Sequence, residues 1–104
     1  MPRSEYSFRY SSVDNAEKAI ERILLSYNFF EFNYNGENVW KKYNDSMGVT
    51  AIQYLKIQYD SQNVNISAWI GSEGYSGEMN LNGLMGAIPK KKLKKIIDEI
   101  ACSV

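Results

Sequence analysis

The dipeptide Asn35-Gly36 lies between two aromatic-rich runs, FFEFNY before it and ENVWKKY after it. Asparagine and glycine tolerate the positive φ angles of a type I′ turn, so the segment predicts a tight β-hairpin. A two-residue turn also fixes the strand register, in which Tyr34 faces Glu37. Because side chains alternate along a strand, the hairpin has two different faces. One face carries Phe30, Phe32, Tyr34 and Val39, and the other carries Phe29, Glu31, Asn33, Trp40 and Lys42.

The segments TAIQYLKIQYD and NVNISAWIG alternate apolar and polar residues on either side of Ser61-Gln62. They predict a second hairpin, in which a tight turn would place Tyr59 opposite Val64. One face of this hairpin is a predicted core face with Gln53, Leu55, Ile57, Tyr59, Val64, Ile66, Ala68 and Ile70. The other face pairs Gln58 with Asn65, Lys56 with Ser67, and Tyr54 with Trp69.

Two further segments have the apolar spacing of amphipathic helices. In the first, Asp14 is the expected N-cap and Glu17 completes a capping box. Its apolar stripe consists of Ala16, Ala19, Ile20, Ile23, Leu24 and Tyr27. The second helix begins at Pro89, which suits position N1. Its apolar stripe consists of Leu93, Ile96, Ile97 and Ile100.

The remaining segments connect these elements or extend the sheet. Ser4 to Tyr10 alternates aromatic and polar side chains and predicts a first strand. We expect a loop from Asn44 to Val49. The stretch from Gly71 to Ala87 contains five glycines and predicts a mobile or tightly turned connection, with room for a short edge strand near Glu78 to Asn82.

Together these elements predict one domain over residues 1–104, of the α+β class. The order is β-α-β-β-β-β-α, with one extra short strand as an option. Tight hairpins make the middle strands an antiparallel meander with one apolar face. Because both helices must bury their stripes, we expect two layers, with both helices packed on one face of the sheet.

The element order resembles the fold shared by the TATA-binding-protein half-domain and several unrelated small domains. A likeness in fold alone implies no function. Locally, EYSFRYSS, the ENVWKK stretch and the glycine-rich segment that runs into IPKKKLKKI resemble a small uncharacterised bacterial domain family. This second resemblance spans most of the chain and implies no activity and no catalytic residues.

The titratable residues exclude several classes of chemistry. The chain has 12 basic and 12 acidic residues, no histidine and one cysteine. It therefore lacks the imidazole of a Ser-His-Asp or Cys-His triad, a Cys/His zinc set and a disulfide framework. We expect a protein that is not an enzyme and that uses no cofactor and no metal. The neutral charge balance also argues against nucleic acid as a partner.

The sequence also bears on where the protein works. No apolar run reaches the length of a membrane span, so we expect no transmembrane segment. The N-terminal residues have no apolar h-region of a signal peptide. With a lone cysteine, the expected compartment is the cytoplasm.

The outer face of the sheet is the first candidate site. We expect the helices to cover the face that bears Phe30, Phe32, Ile57 and Ile66. The opposite face would then expose an aromatic set with two lysines: Phe29, Trp40, Tyr54, Trp69, Lys42 and Lys56. Such a patch favours docking of a protein partner or of a second copy, with a homodimer first. Alternatively, residues 71–87 fold back over these rings, or the rings form only cross-strand pairs.

A lysine cluster at the start of the last helix is the second candidate site. It consists of Lys90, Lys91, Lys92, Lys94 and Lys95. The helix macrodipole disfavours cations there, so the cluster indicates a site for a small-molecule anion, an anionic lipid surface or a polyanion, together with the glycine-rich segment. The alternative is a solvated polar face, in which Lys91 or Lys94 pairs with Asp98.

Overall fold

The computed structural model describes residues 3–46, 49–72, 75–79 and 87–104. Within these ranges the chain forms six strands and two helices. In chain order they are β1 (Ser4–Arg9), α1 (Val13–Ser26), β2 (Phe30–Tyr34), β3 (Glu37–Ser46), β4 (Val49–Tyr59), β5 (Asn63–Ser72), β6 (Tyr75–Met79) and α2 (Ala87–Ser103). The sheet is antiparallel and has the order β1-β5-β4-β3-β2. The short β6 also pairs with β5, beyond the residues that pair with β1.

Both predicted hairpins have the predicted register. Asn35 and Gly36 take positive φ angles of 51° and 90°, as a type I′ turn requires. Across this turn Tyr34 pairs with Glu37. In the second hairpin Tyr59 pairs with Val64, and the same register continues along β4 and β5. Turn chemistry in the first hairpin and side-chain alternation in the second are therefore sufficient to align the strands within each hairpin.

The relation between the two hairpins differs from the prediction. In the β3–β4 register Trp40 pairs with Leu55, and Lys41 pairs with Tyr54. Because paired residues share a face, Trp40 points to the same side as Leu55, and Tyr54 points to the opposite side. The prediction that Trp40 and Tyr54 share a face is therefore wrong. The β2–β3 hairpin carries aromatic residues on both faces, so its pattern could not decide which face is covered.

Helix α1 begins two residues earlier along the chain than predicted. Its N-cap is Ser12 and not Asp14. Ser12 has an extended backbone, and its Oγ accepts a hydrogen bond from the Asn15 backbone N–H at 3.4 Å. The helix ends where Asn28 takes a φ of 67°. The Phe29 N–H then donates to the Leu24 carbonyl, which redirects the chain into β2.

Both helices pack on one face of the sheet, as predicted, and the main core lies between the two layers. The buried core residues are Ile20, Ile23, Leu24, Phe29, Ala51, Leu55, Val64, Ile66, Ala68, Ile70, Leu93, Ile96, Ile97 and Ile100. They include half of the predicted stripe of α1, the whole predicted stripe of α2 and most of the predicted core face of the second hairpin. We call this side of the sheet the inner face, and the side without helices the outer face.

Several predicted boundaries are wrong. The predicted loop from Asn44 to Val49 is mostly strand, because β3 extends to Ser46 and β4 begins at Val49. The extra strand is β6, and residues 80–82 of the predicted strand lie outside the described ranges. Pro89 is the third residue of α2 and not the first. The described helices include none that is long and apolar enough to cross a bilayer.

Two neighbouring leucines of α1 provide a test of this packing. Leu24 is fully buried, whereas Leu25 is 54% exposed. We expect Leu24→Ala to lower the free energy of unfolding by about 2–5 kcal/mol, because it leaves a cavity in the core. Leu25→Ala is the matched control and should change the free energy of unfolding by less than about 0.5 kcal/mol. Urea unfolding followed by circular dichroism measures both, and equal effects would contradict the placement of α1.

Candidate functional site

Three aromatic rings form a cluster in the middle of the outer face. Tyr54 and Trp69 stack with their ring centroids 5.2 Å apart and an interplanar angle of 12°. Tyr34 tilts against both, at 4.9 Å from Tyr54 and 5.3 Å from Trp69. These three residues come from β2, β4 and β5, and Trp69 is fully buried although both described helices pack on the other side of the sheet.

Arg3 covers this cluster. Its guanidinium carbon lies 3.8 Å from the centroid of the Trp69 ring, which is a cation–π contact. The same guanidinium donates two hydrogen bonds to Glu37, at 3.0 and 2.9 Å, and two to Glu78, at 2.9 and 2.8 Å. Such forked pairs fix both distance and orientation. Arg3 therefore links β3 and β6 across the top of the Trp69 ring.

Lys56 completes the charge network, because its Nζ donates to Glu37 Oε1 at 2.7 Å. Hydrogen bonds from Arg3 and then from Lys56 lower the pKa of Glu37 to about 2. Hydrogen bonding to Arg3 also lowers the pKa of Glu78. The two carboxylates raise the pKa of the Arg3 guanidinium in return. Arg3, Glu37 and Glu78 are therefore charged at neutral pH.

The predicted interaction face does not exist as one surface. Tyr54, Trp69 and Lys56 lie on the outer face, but the two rings are buried and Lys56 pairs with Glu37. Phe29 and Trp40 instead pack with the core on the inner face. Lys42 lies there too, with its Nζ 5.9 Å from the ring centroids of both Tyr27 and Phe29.

This correction follows from the register of β3 against β4 and from a contact between distant parts of the chain. The alternative expectation was that residues 71–87 cover the rings. In the described part of that segment, Glu78 of β6 contributes to the cover by holding Arg3. Arg3 and Glu78 are 75 positions apart, so no local pattern in the sequence indicates their contact.

The exposed aromatic residues of the outer face lie on the β2–β3 hairpin instead. Phe30, Phe32 and Tyr43 are 41%, 37% and 52% exposed. The ammonium of the buried Lys41 lies between them, 3.9 Å from the Phe32 centroid and 4.7 Å from the Tyr43 centroid. We call these four residues the aromatic patch. The sequence pattern predicts that Phe30 and Phe32 lie on the covered face. Their place on the outer face follows from the β3–β4 register, which the pattern does not determine.

The five residues of the predicted lysine cluster do not share one environment either. Lys91, Lys92 and Lys95 are exposed, but Lys90 is buried. Lys94 forms an ion pair with Asp98, one turn further along α2, and its Nζ lies 5.5 Å from the Tyr6 ring. The glycine-rich segment assigned to the same site falls largely on residues 73–74 and 80–86, which lie outside the described ranges.

The described side chains include no group of three or more His, Cys, Asp or Glu residues that could hold a metal ion. Comparison of the chain with protein-family models, with curated proteins and with solved structures finds no match.

Replacement of Arg3 tests the cover of Trp69. We expect Arg3→Gln to lower the free energy of unfolding by about 1–3 kcal/mol, because Glu37 and Glu78 lose charged hydrogen bonds. In a Trp40→Phe background Trp69 is the one tryptophan, and its fluorescence should shift to the red as water reaches the indole. Arg9→Gln is the control, because Arg9 is exposed on the outer face of β1. It should change neither the free energy of unfolding nor the emission wavelength of Trp69. An unshifted emission in Arg3→Gln would contradict the stacked geometry.

The lowered pKa of Glu37 predicts a pH dependence. A carboxyl group with a lower pKa in the folded state adds stability above its ordinary pKa of 4.5, and this stability is lost as the pH falls towards about 2. We expect the unfolding free energy to fall over this interval, and to fall less steeply in Glu37→Gln, which has no proton to bind there. Urea unfolding at a series of pH values measures both slopes, and identical slopes would contradict the ion pairs.

Proposed function

We propose that this domain is a non-catalytic interaction module that binds a second copy of itself, edge to edge through β2. The observation that carries the proposal is the position of β2. It is the last strand of the sheet, and the aromatic patch lies on it and on its neighbour β3. An edge strand presents unpaired N–H and C=O groups, and a second strand can pair with them.

The type I′ hairpin determines which backbone groups of β2 are available. In a two-residue hairpin the pair that flanks the turn, here Tyr34 and Glu37, exchanges backbone hydrogen bonds. Alternate residues of β2 therefore bond to β3, and the residues between them point their backbone groups away from it. Glu31 and Asn33 are those residues, so they offer the donors and acceptors for an added strand.

The side chains of β2 are self-complementary in one antiparallel register. When Phe32 of the two copies meet at a twofold axis, Glu31 of each copy lies opposite Asn33 of the other. The register centred on Glu31 would place two carboxylates opposite each other, which is destabilising. The register centred on Asn33 would use Asn35, which has a positive φ in the turn. The favoured register forms pairs with no like-charge contact.

The same register brings exposed rings together. Phe32 meets Phe32 of the second copy, and Phe30 lies opposite Tyr34 of that copy, all on the outer face. Cross-strand aromatic pairs stabilise a sheet by about 0.2–1 kcal/mol each. A single added strand pair is a small interface, so we expect a weak dimer whose population depends on concentration.

The other edge of the sheet is less suited to this role. The exposed residues of β1 include the charged Glu5 and Arg9, whereas β2 has only one charged residue, Glu31. Charged side chains on an edge strand are a common protection against pairing with another chain. The difference between the two edges supports β2 as the docking edge.

A second candidate function has narrower support. The exposed ammonium groups of Lys91, Lys92 and Lys95 could contact an anionic surface or polyanion. The cytoplasm remains the proposed compartment, and the exposed thiol of Cys102 is compatible with a reducing environment. The resemblances to the TATA-binding-protein half-domain and to a bacterial domain family remain proposals too, and neither supplies a functional residue.

The β2 dimer has a sharp charge test. Asn33 Oδ1 accepts a hydrogen bond from the Gly36 N–H at 3.0 Å, and Asn33→Asp keeps an acceptor there. The new carboxylate would lie opposite Glu31 of the other copy, twice in the symmetric dimer, and should raise the dimer Kd about tenfold. Asn15→Asp, at an exposed position in α1, makes the same charge change away from the edge and should leave the Kd unchanged.

A double variant makes the test specific for the register. Glu31→Lys combined with Asn33→Asp places opposite charges face to face and should restore the Kd. Sedimentation equilibrium over a concentration series measures all four proteins against the monomer mass of 11.9 kDa. A monomer at every concentration would overturn the proposal. A dimer that is insensitive to Asn33→Asp would exclude the β2 edge.

A further inference from the structure

A cleft of about 420 Å³ opens between α1 and the inner face of the β2–β3–β4 end of the sheet. Phe32 of the aromatic patch is also one of its lining residues. The residues that line it are Glu17, Ile20, Glu21, Glu31, Phe32, Asn38, Val39, Trp40, Ile57 and Tyr59. Its volume is within the range of about 300–1,000 Å³ that is usual for small-molecule sites.

The cleft combines apolar walls with negative charge. Trp40, Ile57 and Tyr59 are half-buried and pack against the main core from the sheet side. Glu17 and Glu21 come from α1, and Glu31 comes from β2. Among the described lining residues there are three carboxylates and no lysine or arginine.

The carboxylates of the cleft form no ion pair among the described residues. The ion pairs within that part of the chain involve Glu37, Glu78 and Asp98, and none involves Glu17, Glu21 or Glu31. Glu17 and Glu21 are also four positions apart on α1, where two like charges repel each other. A bound cation would relieve this repulsion.

Glu17 also influences the aromatic wall directly. Burial raises the pKa of Tyr59 to about 12, with a smaller contribution from the negative charge of Glu17. The Glu17 carboxylate is therefore close enough to the Tyr59 hydroxyl to affect its pKa. Charged and aromatic groups thus face the same space.

We infer that this cleft binds a small organic cation, with an ammonium group at Glu17 and Glu21 and an apolar body against Trp40. Carboxylates attract the ammonium group, and an aromatic face adds a cation–π contact of about 0.5–2 kcal/mol. Negative charge on the rim disfavours anions.

Three probes that share one apolar body test the charge requirement. They are 4-phenylbutylamine, which is a cation at neutral pH, 4-phenylbutanol, which is neutral, and 4-phenylbutyrate, which is an anion. We expect the amine to bind at least about tenfold more tightly than the alcohol, and the carboxylate to show no binding. Binding of the amine should weaken as the salt concentration rises, because the carboxylates are on an accessible rim.

The two tryptophans provide an internal control for the location. The indole N–H signals of Trp40 and Trp69 report on opposite faces of the sheet in ¹H–¹⁵N NMR spectra. Addition of 4-phenylbutylamine should shift the Trp40 signal and leave the Trp69 signal in place. A shift of the Trp69 signal alone would overturn the assignment, and so would the absence of a shift in both signals.

Matched charge variants complete the test. Glu17→Gln should weaken binding of 4-phenylbutylamine about threefold to tenfold, and the Glu17→Gln, Glu21→Gln double variant should weaken it further. Asp98→Asn removes one negative charge on the exposed side of α2 and should have no effect. Equal binding of the amine and the alcohol would show a merely apolar cleft. An equal effect of Glu17→Gln and Asp98→Asn would show a general charge effect, and either result would overturn the proposal.

Discussion

The stack of Arg3 on Trp69 is the contact on which the outer face depends. Trp69 is fully buried on the side of the sheet that has no helix. A guanidinium can fill this role because it is planar, stacks on an indole and still satisfies two carboxylates in its own plane. The arrangement joins residue 3, the β3 carboxylate of Glu37 and the β6 carboxylate of Glu78. It covers Trp69 with polar groups on the face of the sheet opposite the two described helices.

The prediction of this fold from sequence succeeds where local chemistry decides the outcome. The Asn35-Gly36 turn fixes one hairpin, and alternation along β4 and β5 fixes the other. The stripes of both helices, with residues such as Leu24 and Ile97, were predicted because the helical period separates apolar from polar positions. Each of these signals lies within about 20 residues of sequence.

The candidate site could not be predicted in the same way, because it depends on contacts between distant elements. The β2–β3 hairpin is aromatic on both faces, so only its register against β4 decides that Trp40 lies inside and Phe32 outside. The Arg3–Glu78 contact spans 75 positions and has no periodic signature. Residue type indicated a sheet face rich in aromatic side chains, but the alternation pattern alone could not identify which of these side chains are exposed.

The exposed hairpin is a consequence of how much cover two helices can provide. Both α1 and α2 pack on the inner face, and α1 leaves a cleft beside Trp40 at the β2–β3–β4 end. On the outer face the ion network covers Trp69 and Tyr54 on the central strands but does not extend to Phe30 and Tyr43. Among the described residues, the β2–β3 hairpin is therefore incompletely covered on both faces, and β2 has no second strand partner. Because burial of apolar groups is favourable and the backbone groups of an edge strand can pair with a second strand, binding partners are expected at this end of the sheet.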